Sequence, residues 1–490
     1  GIPVTPLFSS NQENFDANIP LDSNEIAIVW ESIDAGFKQI YTQAIDFDGN
    51  YLWSNSNGLI VGQFPAEQQI PKISSVNNSG IYEYYIGWED FTDFMESQIK
   101  GQKVINGELQ WGDEGITIAD RTGDDELSCL VERYYIWRNI VLYPNYSIYA
   151  KLVDEDGNTA PGWDENGNLI CGAPGIQTNP RGIIVPEGLL IIWEDYRDFS
   201  FEKDIYGQVI TPDGTILWQE NGLPLVTQEN DQYGFKFVYD NGLYITWSDF
   251  RSGSYSEIYI QKYDEFGNEL WQEGGILIAG GDDLYTSSPD VVKVGDKILV
   301  VWEENNDYFL DIKAQLLNEN GELLWNPQGL VICDEFRDQS YPQVVSNGDN
   351  DTFIAWLDNR AIYLSGGFEE IQGVYAQKVY IEPTSVENEI VPKTTKLFPN
   401  FPNPFNPETT IYFTAENAEN AETCPPWRIV IYNIKGQKVK TLNIENCKLN
   451  IGKTVWNGTD ENNLPVSSGI YFYKLRSGNF KQTRKMILLK

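Results

Sequence analysis

Apolar runs that end in tryptophan and pass into polar, mostly acidic residues recur through most of the chain. They are IAIVWES at Trp30, YYIGWED at Trp88, YYIWRN at Trp137, LLIIWEDYR at Trp193, LYITWSDFR at Trp247, ILVVWEE at Trp302 and FIAWLDNR at Trp356, spaced 49 to 58 residues apart. Downstream of each lies a segment alternating apolar and polar positions, such as QIYTQAI, DIYGQVI, EIYIQKY, DIKAQLL or GVYAQKV. Alternation with period two is the mark of a strand with one buried face. Most units continue through a glycine turn to a second tryptophan: DFDGNYLW, INGELQW, TPDGTILW, DEFGNELW and NENGELLW, with Trp163 as a weaker sixth.

Each unit therefore reads as four short antiparallel strands; around Trp247 they are FKFVYD, GLYITWSD, EIYIQKYD and NELWQ. Four-stranded units repeated at this period are the signature of a β-propeller, and seven are present. A glycine follows the second tryptophan by four residues at Gly115, Gly167, Gly222, Gly275 and Gly329, and Gly1 fits that position. The seventh unit runs out before its fourth strand, so residues 1 to about 6 are expected to supply part of it and close the ring, which removes two open edges. The fold expected is all-β: a seven-bladed β-propeller over 1–381 closed by the N-terminal strand, a polar linker over 382–396, and a small Ig-like β-sandwich over 397–490.

Charge divides the chain at the same place. Of 34 Lys and Arg and 72 Asp and Glu, the segment from Val391 to Lys490 holds 14 and 7, a net +7, which leaves 20 against 65, or -45, for residues 1–390. An acidic body of that size repels phosphate backbones and anionic bilayers, so nucleic acid is excluded as an expected partner. The chain has no histidine, which removes imidazole acid–base chemistry, Ser-His and Cys-His pairs and His-ligated zinc. No apolar run is long enough to cross a membrane as a helix.

The last hundred residues carry PNPFNP at 402–407, IYNIKGQKVKTL at 431–442, WNGTDENNLPVSSGIYFYKL at 456–475 and KMILLK at 485–490. In that order these motifs resemble the C-terminal sorting domain of type IX secretion cargo, matched here by Pro402, Asn403, Pro404, Gly436, Gly469, Tyr471, Lys485 and Lys490. The resemblance implies a Gram-negative bacterium, the type IX machinery as a partner, and a location secreted or on the outer cell surface, with attachment to lipopolysaccharide as one fate. An insertion, AENAENAETCPPW at 415–427, departs from the pattern.

Export makes the five cysteines oxidisable. Cys424 with Cys447 is the leading disulfide candidate, Cys129 with Cys171 a weaker one, and Cys333 reads as a small buried apolar residue. Arg197, Arg251 and Arg360 each follow an Asp by two residues. Three arginines on a propeller are similar to the carboxylate clamp of sialidases, but their equivalent positions favour a structural service to each repeat. The turns DEDGN at 154–158 and DENGN at 164–168 offer oxygens of the kind calcium takes, against the plainer reading of solvated turns. No other cofactor is expected. The third unit departs most from the repeat, and its Arg133, Tyr134, Tyr135, Arg138, Tyr143 and Tyr146 form an aromatic and cationic island, read either as a contact surface or as drift.

The functional expectation is an exported, non-catalytic propeller with a surface structural or adhesive role. In its sharpest form the basic C-terminal domain of one copy docks on the acidic propeller of the next, head to tail, into a filament. The alternative is a carbohydrate-active or glycan-binding propeller of the cell surface.

Overall fold

The computed structural model describes residues 12–489 other than 21–22, 35–36, 54–57, 63–66, 94–95, 143–144, 198–201, 254, 282–283, 307–308, 336, 347–350, 360, 365–366, 371–372, 382–395, 402–406, 415–426, 445–450 and 478–479. The chain divides into two compact units, Gly1–Pro383 and Thr384–Lys490. Every element among the described residues is a strand.

Among the described residues of the first unit, seven antiparallel sheets of three or more strands follow one another as meanders, and a two-stranded ribbon, Ala361–Leu364 with Gly367–Glu370, is inserted in the seventh. The fourth is representative: Gly175–Val185, Gly188–Arg197, Asp204–Ile210 and Leu223–Val226 pair in chain order. The first begins at Gln12–Asn18, the second at Glu67–Asn78, the third at Asp124–Val131, the fifth at Gln232–Tyr239, the sixth at Thr286–Val294 and the seventh at Gln339–Ser346. The seventh has three described strands, and the segment expected to complete it, residues 1 to about 6, lies outside the described residues.

One expectation about the unit is corrected. In the fourth, fifth and sixth sheets the segment carrying the second tryptophan is not the fourth strand, although in the second sheet Glu108–Leu109 of that segment does pair with the third strand; around Trp247 the fourth strand is Ile276–Ala279, opened by the repeated glycine. The tryptophan segment touches the third strand through a single bridge, Tyr263 with Glu269. A buried glutamine of the third strand then holds it. Gln261 accepts from the Trp271 backbone N–H (3.1 Å) and donates to the Gln272 carbonyl (2.8 Å), and Gln208 and Gln315 do the same for Trp218 and Trp325. A side chain that both donates and accepts stands in for part of the missing ladder, satisfying one backbone N–H and one carbonyl of that segment.

The core is a series of interfaces between neighbouring sheets. Ala27, Val29 and Ile40 of the first sheet pack with Ile73, Ile86 and Trp88 of the second, and Leu299, Val301 and Ile312 of the sixth pack with Val344, Ile354 and Trp356 of the seventh. The second tryptophans bind adjacent sheets at their outer ends. The Trp163, Trp218 and Trp271 indoles donate to the Pro212, Glu265 and Glu319 carbonyls in the following unit's turn, at 2.9, 3.3 and 3.1 Å.

In the second unit, Lys396–Phe401, Thr409–Thr414 and Ile451–Trp456 form one sheet, and Trp427–Asn433, Lys438–Ile444, Gly469–Ser477 and Phe480–Leu488 another. Leu397, Ile411 and Trp456 from the first share a core with Ile429, Ile431, Tyr473, Leu475 and Met486 from the second, so the unit is a two-layer sandwich. Gly436 stands in the turn after Asn433 at φ 75°, Tyr471 is buried with its hydroxyl on the Ser467 carbonyl (2.6 Å), and Lys485 is exposed. Gly469 opens the strand that carries Tyr471. Pro402, Asn403, Pro404 and Lys490 lie outside the described residues, as do Cys424 and Cys447.

Candidate functional site

The first tryptophan of each unit is buried, and its indole N–H requires a partner. Trp193 donates to Asp195 (2.8 Å), Trp247 to Asp249 (2.7 Å), Trp302 to Glu304 (3.2 Å) and Trp356 to Asp358 (3.2 Å), each acceptor two residues further along the same strand. Arg197 and Arg251 pair with Asp195 and Asp249 at 2.6 Å, and their guanidinium carbons lie 3.5 and 3.9 Å over the rings of Tyr206 and Tyr259. Those rings stack on Trp193 and Trp247. The result, twice over, is a column of tryptophan, tyrosine and arginine closed by one carboxylate. It serves its own sheet, as the repeat positions suggested. Arg360 lies outside the described residues.

The glutamate after the first tryptophan does a second job. Glu31, Glu89, Glu194 and Glu303 accept from the backbone N–H of Ile70, Leu127, Gly234 and Tyr341 in the next sheet, at 2.7, 3.0, 2.9 and 2.9 Å. Each latch sits where the next sheet's first strand bulges. The recurring Trp-Glu pair is visible in the sequence, but its target is not, because the donating N–H belongs to a unit some 40 residues away.

Burial, with the Glu126 charge adding to it, raises the Glu89 carboxyl to about 8. Its folded-state value exceeds the ordinary one, so between about pH 4.5 and pH 8 the folded form holds a proton that the unfolded chain has released. Stability from this group is therefore greatest at low pH and is lost as pH rises. Glu89→Gln, which keeps an acceptor for Leu127 and stays neutral, is expected to stabilise the protein by a few kcal/mol at pH 8 and to change little at pH 5. Urea melts of both proteins across that range check this; an equal offset at both values would refute it.

The third sheet rewires the column. Its cross-strand pair Asp125 and Asn139 occupies the place of Gln177 and Asp195 in the fourth sheet, Gln232 and Asp249 in the fifth, and Gln339 and Asp358 in the seventh. The carboxylate has moved one strand over. Asp125 takes the Trp137 indole N–H and the Asn139 amide, both at 2.9 Å, and the Arg121 backbone N–H at 3.0 Å. Burial raises its carboxyl to about 6. A cation still caps the column: the Arg121 guanidinium carbon is 3.8 Å over Tyr149, which stacks on Trp137. Arg121 donates to the Tyr149 hydroxyl (3.1 Å) and the Asn166 carbonyl (2.9 Å), and among the described residues it makes no ion pair. Beside it lies an open depression of about 330 Å³ lined by Asp120, Arg121, Thr122, Asn139, Val141, Tyr149 and Asn166.

Of the aromatic and cationic island on this sheet, Tyr134 and Tyr135 are interior, which corrects the contact-surface reading for them, whereas Arg133, Arg138 and Tyr146 are half-buried. Tyr134 packs on Trp163, and Tyr135 is fully buried against the second sheet, where Gly87 and Gly101 leave room for its ring. Arg138 pairs with Glu126 and donates to Thr178 (3.0 Å), with Tyr146 beside it. Tyr143 lies outside the described residues. The Cys129–Cys171 pairing is also corrected. The two are free thiols on the first and fourth strands of one sheet. Three strand spacings, roughly 14 Å, separate such positions, about twice the span a disulfide bridges. Cys333 is a buried thiol, as expected, with its Sγ 4.0 Å from an Asp358 carboxylate oxygen.

The acidic turns are wired to themselves. Asp154 accepts from the N–H groups of Asp156 and Asn158 at 3.0 and 2.8 Å, and the Asn168 side chain accepts from the Asp164 N–H at 2.9 Å. Among the described residues no group of three or more carboxylates or thiols is placed to hold a metal ion.

Fold and wiring together define a repeat protein of antiparallel sheets whose recurring polar residues hold each sheet and its neighbour, joined to a small β-sandwich. The sandwich places the protein. Residues 400–489 match the Secretion system C-terminal sorting domain, so the chain is cargo exported through type IX secretion to the cell surface or beyond. No curated protein matches the chain. Among solved structures it is similar to an endo-arabinase from Bacteroides thetaiotaomicron (13% identity, 54% of this chain and 95% of that one, TM-score 0.31). A thermostable family-43 glycoside hydrolase (13%, 67% and 98%, 0.31) and a protein of unknown function from Dyadobacter fermentans (11%, 76% and 95%, 0.34) are similar at the same level. Likeness that low carries no argument about activity. No helix among the described residues is long and apolar enough to cross a membrane.

Proposed function

We propose that the first unit is a seven-bladed propeller closed by the N-terminal segment, that the second is an Ig-like sandwich, and that the protein is a non-catalytic structural or adhesive component of the cell exterior. The observation that carries this reading is the employment of its polar residues. The carboxylates and arginines at repeat positions are engaged with indoles, guanidinium groups and neighbouring backbone, and groups so engaged serve the repeat. Charge supplies the mode of assembly. A net +7 over residues 391–490 and -45 over residues 1–390 attract between copies, and a head-to-tail contact that does not close gives a filament. Electron microscopy of the full chain at low and at high salt is expected to show linear assemblies that shorten as salt is added. Monodisperse single particles at both salt concentrations would end the filament reading.

A further inference from the structure

We propose that the depression on the third sheet binds a sugar acid, a polyhydroxylated ligand whose carboxylate pairs with Arg121. The argument is internal to the repeat. In the fourth and fifth sheets the arginine over the column's tyrosine meets a carboxylate at 2.6 Å, Asp195 or Asp249, and the column is complete. In the third sheet the tyrosine and its arginine are kept, Tyr149 with Arg121 at 3.8 Å, but the residue in the place of that aspartate is Asn139. The relocated carboxylate of Asp125 is occupied by the Trp137 indole, the Asn139 amide and the Arg121 main chain, not by the guanidinium. The Arg121 guanidinium thus meets the Asp125 charge only at a distance and pairs with no carboxylate among the described residues, where the surface opens into a depression of about 330 Å³.

The chemistry of the lining selects the ligand. A guanidinium held by Tyr149 and Asn166 is preorganised and retains further N–H donors for a carboxylate. Both faces of the Tyr149 ring are taken, by Trp137 and by Arg121, so recognition by stacking a sugar on an aromatic plane is not available there. Asp120, Thr122 and Asn166 add acceptors and donors suited to hydroxyl groups. Asp120 opposes an anion in proportion to its charge, so a single carboxylate on a neutral polyol is disfavoured less than a polyanion. The reading is independent of the filament: it concerns one sheet and holds for a monomer.

The test is calorimetric titration of the full chain with galacturonate and with galactose. Galacturonate is expected to bind, and galactose about tenfold or more weakly, because it lacks the charge-assisted pair. Arg121→Gln is expected to weaken galacturonate binding about tenfold while thermal stability stays near that of the parent. The paired change Asp125→Gln with Asn139→Asp, which returns a carboxylate to the arginine's side, is expected to abolish binding although Arg121 remains. Failure of galacturonate to bind at tens of millimolar, equal binding of galactose, or undiminished binding in both variants overturns the proposal.

Discussion

Gly275→Ala is expected to destabilise the first unit by about 3 kcal/mol or more, whereas Gly253→Ala, in a loop of the same repeat, costs about 1–2 kcal/mol. The two glycines share a left-handed backbone, φ 90° and 83°, so the conformational cost of a side chain is common to both. Their surroundings differ. A Cβ on Gly253 would meet nothing within 4 Å, but on Gly275 it would lie 2.7 Å from Cη2 of Trp247, which is fully buried and cannot yield. Gly115, Gly222 and Gly329 face Trp88, Trp193 and Trp302 in the same manner, which gives the glycine recurring four residues after the second tryptophan its physical meaning. Thermal and urea melts followed by tryptophan fluorescence would measure the pair. Equal losses would show that the close approach to the indole does not matter.

The second large effect is a coupling. Asn139→Asp alone places a second carboxylate directly across from buried Asp125 and is expected to cost about 3 kcal/mol or more. Asp125→Gln alone weakens the acceptor for the Trp137 indole and the Asn139 amide, at about 1–2 kcal/mol. Together they restore the arrangement of the fourth and fifth sheets, with one carboxylate per column and an arginine to meet it. The double variant is therefore expected within about 1 kcal/mol of the parent, a coupling on the order of 3 kcal/mol. Additive losses across the four proteins would mean that the third sheet is not an exchanged version of its neighbours.

Both results bear on what could be read along the chain. Tyr134 and Tyr135 read as an exposed island because adjacent aromatics in an irregular unit look like a surface, yet a strand of an inner sheet is buried on both faces. Only the facing Gly87 and Gly101, about 35 to 50 residues earlier, reveal where the Tyr135 ring goes. Arg121 is not legible as the column's cation because it precedes its unit's first strand, whereas Arg197 and Arg251 stand at or after the end of the second. A faint signal existed: among these units the third has Asn two residues after its tryptophan where the fourth, fifth and seventh have Asp. The segment of the second tryptophan reads as a strand, since tryptophan beside a glycine turn has strand character whether or not a ladder forms, and only the structure shows its indole donating to the following unit's turn.

The sequence by itself determined the all-β class, the period, the divided charge and the sorting domain, because alternation, turn glycines and contiguous motifs are local properties of the chain. Tertiary structure decided which side chains are free. The partners of Glu89, Trp218 and Arg121 are backbone carbonyls, N–H groups and rings brought together only when one sheet packs on the next or one strand lies beside another. A chemistry-bearing residue is defined by the partner it lacks, and that lack appears only when those distant segments have met.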